Sequence, residues 1–145
     1  LPICIVGWLA TESSVVDETT KIRESTTAST PTPSQHAAIA ALEGPQAPVR
    51  EMQTAFRERR DYVTDRLAEM DGVKASRSQG AFYAFLDPEG YDDSTALAKA
   101  LVTEAGVVFA PGAGFGDAGE GKLRLSYANS LDRLETGLDR LDAYL

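Results

Sequence analysis

Between positions 121 and 128 the chain reads Gly-Lys-Leu-Arg-Leu-Ser-Tyr-Ala, and its side chains alternate in kind. Leu123, Leu125 and Tyr127 fall on one side of an extended segment; Lys122, Arg124 and Ser126 fall on the other. A strand of this kind covers a core with one face and leaves the other open. It has to be one layer of a layered domain. The next residues supply a second layer. Leu131, Leu134, Leu138, Leu141 and Leu145 recur three and four apart, which predicts an amphipathic helix capped by Asn129 or Ser130. An arginine on a strand is a rigid planar fork suited to a carboxylate. Read alone, Arg124 is more simply an ordinary strand arginine paired with a surface carboxylate.

The same periodicities order the rest of the chain. Val49, Met52, Phe56, Val63, Leu67 and Met70 predict the longest helix, opened at Pro48 and closed by Asp71-Gly72. Arg57, Glu58, Arg59, Arg60 and Asp61 read as its solvated face, with pairing three and four residues apart. Val73–Arg77 and Ala81–Leu86 predict two strands, and Asp87-Pro88-Glu89-Gly90 a turn. Asp93 caps a helix with Leu97, Leu101 and Val102 inward, ended by Gly106. Val107-Val108-Phe109 predicts a short strand, and Ala110–Gly116 a tight turn. That turn has no Gly-Lys-Ser/Thr ending and leads into a strand. It is neither a nucleotide-phosphate loop nor a dinucleotide fingerprint. From residue 46 the order helix, two strands, helix, two strands, helix argues an α/β layered domain.

Before residue 45 the signals thin out. Leu1–Val6 reads as a buried strand. Ser13 or Ser14 caps a helix through Val15, Val16, Thr19 and Ile22. A Ser/Thr-rich connector follows, stopped by Pro31 and Pro33. Ser34 then caps a short helix, Gln35–Leu42, ended by Glu43-Gly44-Pro45. Trp8 is expected to pack, and His36 to be partly exposed.

Composition removes whole classes of function. A net charge of −8 over 145 residues is the wrong sign for nucleic-acid binding. One cysteine, Cys4, excludes an intrachain disulfide and a multi-cysteine metal site, and one histidine excludes the usual zinc sets. No apolar run approaches the length of a membrane span. Leu1–Val6 is too short for a signal peptide and lacks a basic start, and the single cysteine makes a cytoplasmic location the expected one. Only four of the 14 cations are lysines, which suggests a salt-adapted, acidic surface. The absence of an initial Met suggests a processed product or a fragment.

Taken together and in order, several stretches resemble the C-terminal part of a class I/II, aspartate aminotransferase-like (fold-type I) enzyme. They are Lys21-Ile22-Arg23, the Ser/Thr connector, Gln35-His36-Ala37-Ala38, the long helix, Gly80–Phe85, Pro111–Gly116 and Leu123–Ala128. The resemblance implies that residues 1–44 are a remnant of a large cofactor-binding domain. Residues 45–145 would be the small C-terminal domain, helices packed on a small mixed sheet. It implies transamination, the transfer of an amino group between an amino acid and a 2-oxo acid through pyridoxal 5′-phosphate, in a homodimer whose neighbouring site is faced by Thr26–Pro33. Arg124 would bind the substrate α-carboxylate. Phe82, otherwise read as core, would wall the substrate pocket. Two alignments of Gly7-Trp8 with relatives place Ile5 or Leu9 where those relatives carry the phosphate-binding arginine. One of them places Leu1 at the Schiff-base lysine, and the other puts that lysine before the chain. Lys21 makes no case for the role. The isolated chain is therefore expected neither to bind the cofactor nor to turn over. Two other readings stay open: a non-catalytic interaction or dimerisation domain on the same scaffold, using Leu1–Val6 as a contact, and a simple carboxylate-binding module.

Overall fold

The C-terminal leucine stripe becomes α5, Leu131–Tyr144, in the computed structural model, which describes residues 6–145. Leu134, Leu138 and Leu141 are buried. Burying each such side chain contributes about 1.5–3 kcal/mol, so this one stripe is a main source of cohesion. Ser130 stands at the cap position without a side-chain cap bond, while Asn129 accepts from the Ser130 N–H.

Contacts divide the chain into two units, residues 1–48 and 49–145. The second holds the core. Here the long helix α3, Ala47–Glu69, contributes Val63 and Leu67, and Met70 is buried just beyond it. Four strands form one sheet in the order β1-β2-β4-β3. They are β1 (Val73–Ala75), β2 (Tyr83–Pro88), β3 (Ala110–Pro111) and β4 (Leu123–Ser126). Every pairing is antiparallel, where a mixed sheet is expected. Ala84 stands opposite Leu125 and Leu86 opposite Leu123 on the core face. Tyr83, Phe85, Arg124 and Ser126 share the outer face.

Between the strands runs α4, Ser94–Ala100, with a side-chain cap from Asp93, whose carboxylate accepts from the Thr95 and Ala96 N–H groups. A π-helical turn, Leu101–Ala105, carries Leu101 into the core and ends at Gly106 in the left-handed region. The expected strand at Val107–Phe109 is not one. Val107 and Phe109 are buried but Val108 is 80% exposed, and the pairing with β4 starts only at Ala110. The second strand also starts later than its aromatic run suggests. Ala81 has a positive φ of 57°, a conformation that breaks the extended path before Tyr83. Asp87 and Pro88, expected in a turn, are its last residues.

The first unit contains α1, Ser13–Thr26, and α2, Thr32–Glu43. The connector ends at Pro31, as expected, and Pro33 already belongs to the helix. It sits in the first turn of α2, where its missing N–H costs nothing, and Pro31 rather than Ser34 occupies the cap position. Ser34 is buried inside the helix. Val15, Val16 and Ile22 are exposed, and so is Trp8 at 86%, against the expectation that it packs. His36 is exposed. The strand expected over Leu1–Val6 lies outside the described residues apart from Val6, which is not in a strand.

Candidate functional site

The site is built on the outer face of the sheet. β4 presents Arg124 between Phe85 of β2 on one side and Ala110 of β3 on the other. Tyr83 lies on the same face, one register step away, opposite Ser126. The guanidinium carbon of Arg124 stands 4.2 Å from the centroid of the Tyr83 ring and 4.2 Å from that of Phe115. Phe115 also meets Phe85 edge to face at 5.8 Å. Two aromatic clouds at this distance attract a planar cation electrostatically and restrict its rotation. The bland expectation for Arg124, a surface ion pair, fails: among the described residues no carboxylate lies within salt-bridge distance of it. Its donors remain available along the edge of the guanidinium plane.

Phe115 reaches the arginine from a short 3-10 turn, Gly112–Phe115, that directly follows β3. This turn packs back on the residues leading into β4. The Gly112 N–H donates to the Lys122 carbonyl at 2.8 Å. An added Cβ at Gly112 would lie 2.0 Å from the Gly119 carbonyl oxygen, and one at Gly119 would lie 2.1 Å from that of Gly112. Backbone meets backbone here, which only glycine permits. The turn is structural, as its sequence suggests, but it also delivers one wall of the site.

Phe82 lies beside this arrangement. Its ring stacks on Phe56 of α3 at 5.8 Å and contacts Tyr83 at 4.5 Å, while the rings on Arg124 belong to Tyr83 and Phe115. Tyr127 extends the strand inward. It is buried, its hydroxyl donates to the Ala81 carbonyl at 3.1 Å, and its N–H donates to the Phe82 carbonyl at 2.9 Å. Burial raises the affinity of this phenol for its proton. Tyr127 thus pins the left-handed bend that sets where Phe82 and Tyr83 begin. A groove of about 530 Å³ runs along α3 beside this bend, lined among others by Phe56, Arg57, Arg60 and Gly80. Along α3 the i,i+3 pair is Arg66 with Glu69 at 3.0 Å, while Arg59 and Arg60 do not pair three or four residues along the helix as expected. Arg60 and Arg77 both hold Asp61, keeping its carboxyl below the usual range with Arg60 the larger cause, and Arg59 lies over the Phe56 ring.

The donors for a pyridoxal phosphate are a poor match. Its anchoring lysine needs a sheltered amine that can lose its proton. Lys21 is exposed and paired with Glu18; Lys74 is exposed and paired with Glu89, which raises its pKa; Lys122 donates to the Ala118 carbonyl. Lys99 lies on the exposed side of α4. Among the described residues no cluster of His, Cys, Asp and Glu could hold a metal.

A family model described as aminotransferase class I and II matches residues 5–141. The chain belongs to this family. Aspartate aminotransferase of Bacillus sp. (strain YM-2) is 35% identical over 146 aligned positions, which cover 97% of this chain and 37% of that protein. LL-diaminopimelate aminotransferase of Desulforudis audaxviator is 34% identical over 93% of the chain and 34% of its own length. The solved aromatic aminotransferase from Pyrococcus horikoshii OT3 superposes with a TM-score of 0.82 at 32% identity, covering 94% of this chain and 37% of that one. The class I and II aminotransferase assignment thus rests on sequence and fold together. The chain spans a little over a third of the relatives it matches. Among the described residues no helix is long and apolar enough to cross a membrane.

Proposed function

We infer that this chain is the C-terminal portion of an aminotransferase and supplies that enzyme's substrate-carboxylate ligand, Arg124. Residues 1–44 are a remnant of the large domain and 45–145 the small domain. The whole activity is amino-group transfer between an amino acid and a 2-oxo acid with pyridoxal 5′-phosphate, in a cytoplasmic homodimer adapted to high salt. The observation that supports the reading is a cation held against Tyr83 and Phe115 on an outward sheet face, with no carboxylate among the described residues paired with it. The substrate class shares one fixed anion, its α-carboxylate. A planar donor held in place orients that group while chemistry proceeds at the adjacent carbon. Phe82, through Tyr83, walls the same side. The chain by itself does not bind the cofactor covalently, because Lys21 and Lys74 are exposed and ion-paired, Lys122 donates to the Ala118 carbonyl and Lys99 is exposed on α4.

The test is a titration of the full chain with 2-oxoglutarate, followed through the arginine Nε–Hε resonances. Saturable displacement of the Arg124 resonance, lost in R124A and weakened in R124K, is expected. Binding that R124A leaves unchanged overturns the assignment. Adding pyridoxal 5′-phosphate is expected to leave the cofactor's own spectrum. A new absorbance band abolished by mutating a single lysine would refute the inactive reading.

A further inference from the structure

A second set of residues, distant in sequence, bonds to the turn that carries Phe115. Ser94, at the start of α4, is fully buried. Its N–H and its hydroxyl both donate to one carboxylate oxygen of Glu120, at 2.9 and 2.8 Å, and the Gly121 N–H donates to the same oxygen at 3.2 Å. The Ser94 oxygen in turn accepts from the Ala113 N–H at 3.1 Å, in the turn that carries Phe115. One hydroxyl thus bridges the carboxylate before β4 and the backbone two residues from the aromatic wall. Bonds to an ionised acceptor are stronger than neutral ones, and chained bonds reinforce each other. The depressed pKa of Glu120, caused first by the Ser94 N–H, agrees with an ionised acceptor.

We propose that Ser94 and Glu120 are positioning residues for Arg124: they lock the turn from which Phe115 covers one face of the guanidinium, so that its donor edge is oriented before an organic carboxylate arrives. This rests on the reading of Arg124 as the carboxylate ligand. Neither residue touches the arginine. Their effect passes through Ala113 and the two-residue step to Phe115. With two rings held against the fork, part of the freedom that binding would otherwise remove is already lost. The Gly112 N–H bond to the Lys122 carbonyl fixes the start of the turn, the Gly116 N–H bond to the Ala113 carbonyl at 3.3 Å closes its end, and the Ser94 bond to Ala113 anchors the turn to α4.

The experiment uses the full chain with S94A, E120Q and F115A. In the parent protein the Arg124 Hε resonance is expected upfield of those of arginines without a ring contact, because two rings lie 4.2 Å from its guanidinium carbon. In S94A and E120Q that displacement collapses while the methyl resonances of Leu123, Leu134 and Leu138 stay in place. The dissociation constant for 2-oxoglutarate rises by about two- to tenfold, the range expected for one side chain left unordered. F115A gives a similar rise, and E120Q adds nothing in the F115A background, since both act on one contact. A displacement that persists in E120Q overturns the proposal, as does an effect of E120Q that adds to that of F115A. Glu120 is exposed, so E120Q decides the matter even if S94A fails to fold. If the parent protein does not bind 2-oxoglutarate, the carboxylate reading falls, while the ring displacement still reports whether Ser94 and Glu120 set the arginine's geometry.

Discussion

Gly112→Ala isolates the backbone crossing that carries the aromatic wall. The new Cβ would stand 2.0 Å from the Gly119 carbonyl oxygen and 2.7 Å from that of Lys122. Both are main-chain atoms, so no side chain can swing aside. The crossing has to open by roughly an ångström. That movement strains or breaks the Gly112–Lys122 bond at 2.8 Å and the Ala113–Ser94 bond at 3.1 Å. Two bonds at about 1 kcal/mol each, plus about 1–3 kcal/mol of packing strain, give a loss of about 3–5 kcal/mol. Gly114 is a control in the same turn. An added Cβ there meets nothing within 4 Å, and its φ is not positive. Gly114→Ala is therefore expected to be neutral or to gain about 0.4–1 kcal/mol by restricting the unfolded chain. Urea unfolding monitored by circular dichroism reads both. The midpoint of G112A falls well below that of the parent, and that of G114A does not. Equal midpoints for the two variants would refute the argument that close backbone contact, rather than turn flexibility, requires glycine at 112.

The helix stripe gives a second outcome. L138A removes a fully buried side chain and is expected to cost about 2–5 kcal/mol, against under about 1 kcal/mol for L145A at the partly exposed end, as read from denaturant midpoints. Acid is a third perturbation. Asp61 beside Arg60 and Arg77, Glu89 beside Lys74, and Glu120 beneath Ser94 and Gly121 all have lowered pKa values in the folded chain. Their contribution is present in full above the ordinary carboxylate range, near pH 4, and disappears as pH falls through the lowered values. A melting series from pH 7 to pH 2 is expected to stay level and then drop, with a shallower drop in E120Q. A melting temperature that rises on acidification contradicts the sign.

Elements whose signal is local were legible in the sequence. The stripe of α5, the lower half of α3, the Asp93 cap and the two-sided character of β4 each follow from side chains a few residues apart. Alternation puts Arg124 opposite the apolar face, but only the family resemblance marks it as a carboxylate ligand. Its partners were not, because Phe115 arrives from a turn and Tyr83 from another strand. Nor does spacing reveal that Ser94 and Glu120, 26 residues apart, share three hydrogen bonds around one oxygen with Gly121. The strand expected at Val107–Phe109 illustrates the converse. An apolar run gave it β character, but strand identity belongs to whichever backbone meets a neighbour, and here that is Ala110-Pro111. Ala81 misled for a third reason: its left-handed φ is held by the distant Tyr127 hydroxyl, and alanine advertises no such bend.

The strict division of labour between the two sides of β2 and β4 has an evolutionary consequence. Leu86 and Leu123 secure the fold from one side, while Tyr83, Phe85 and Arg124 look outward from the other. Substitutions among the outward positions leave the interior untouched, so chemical taste can drift across generations without a matching loss of foldability.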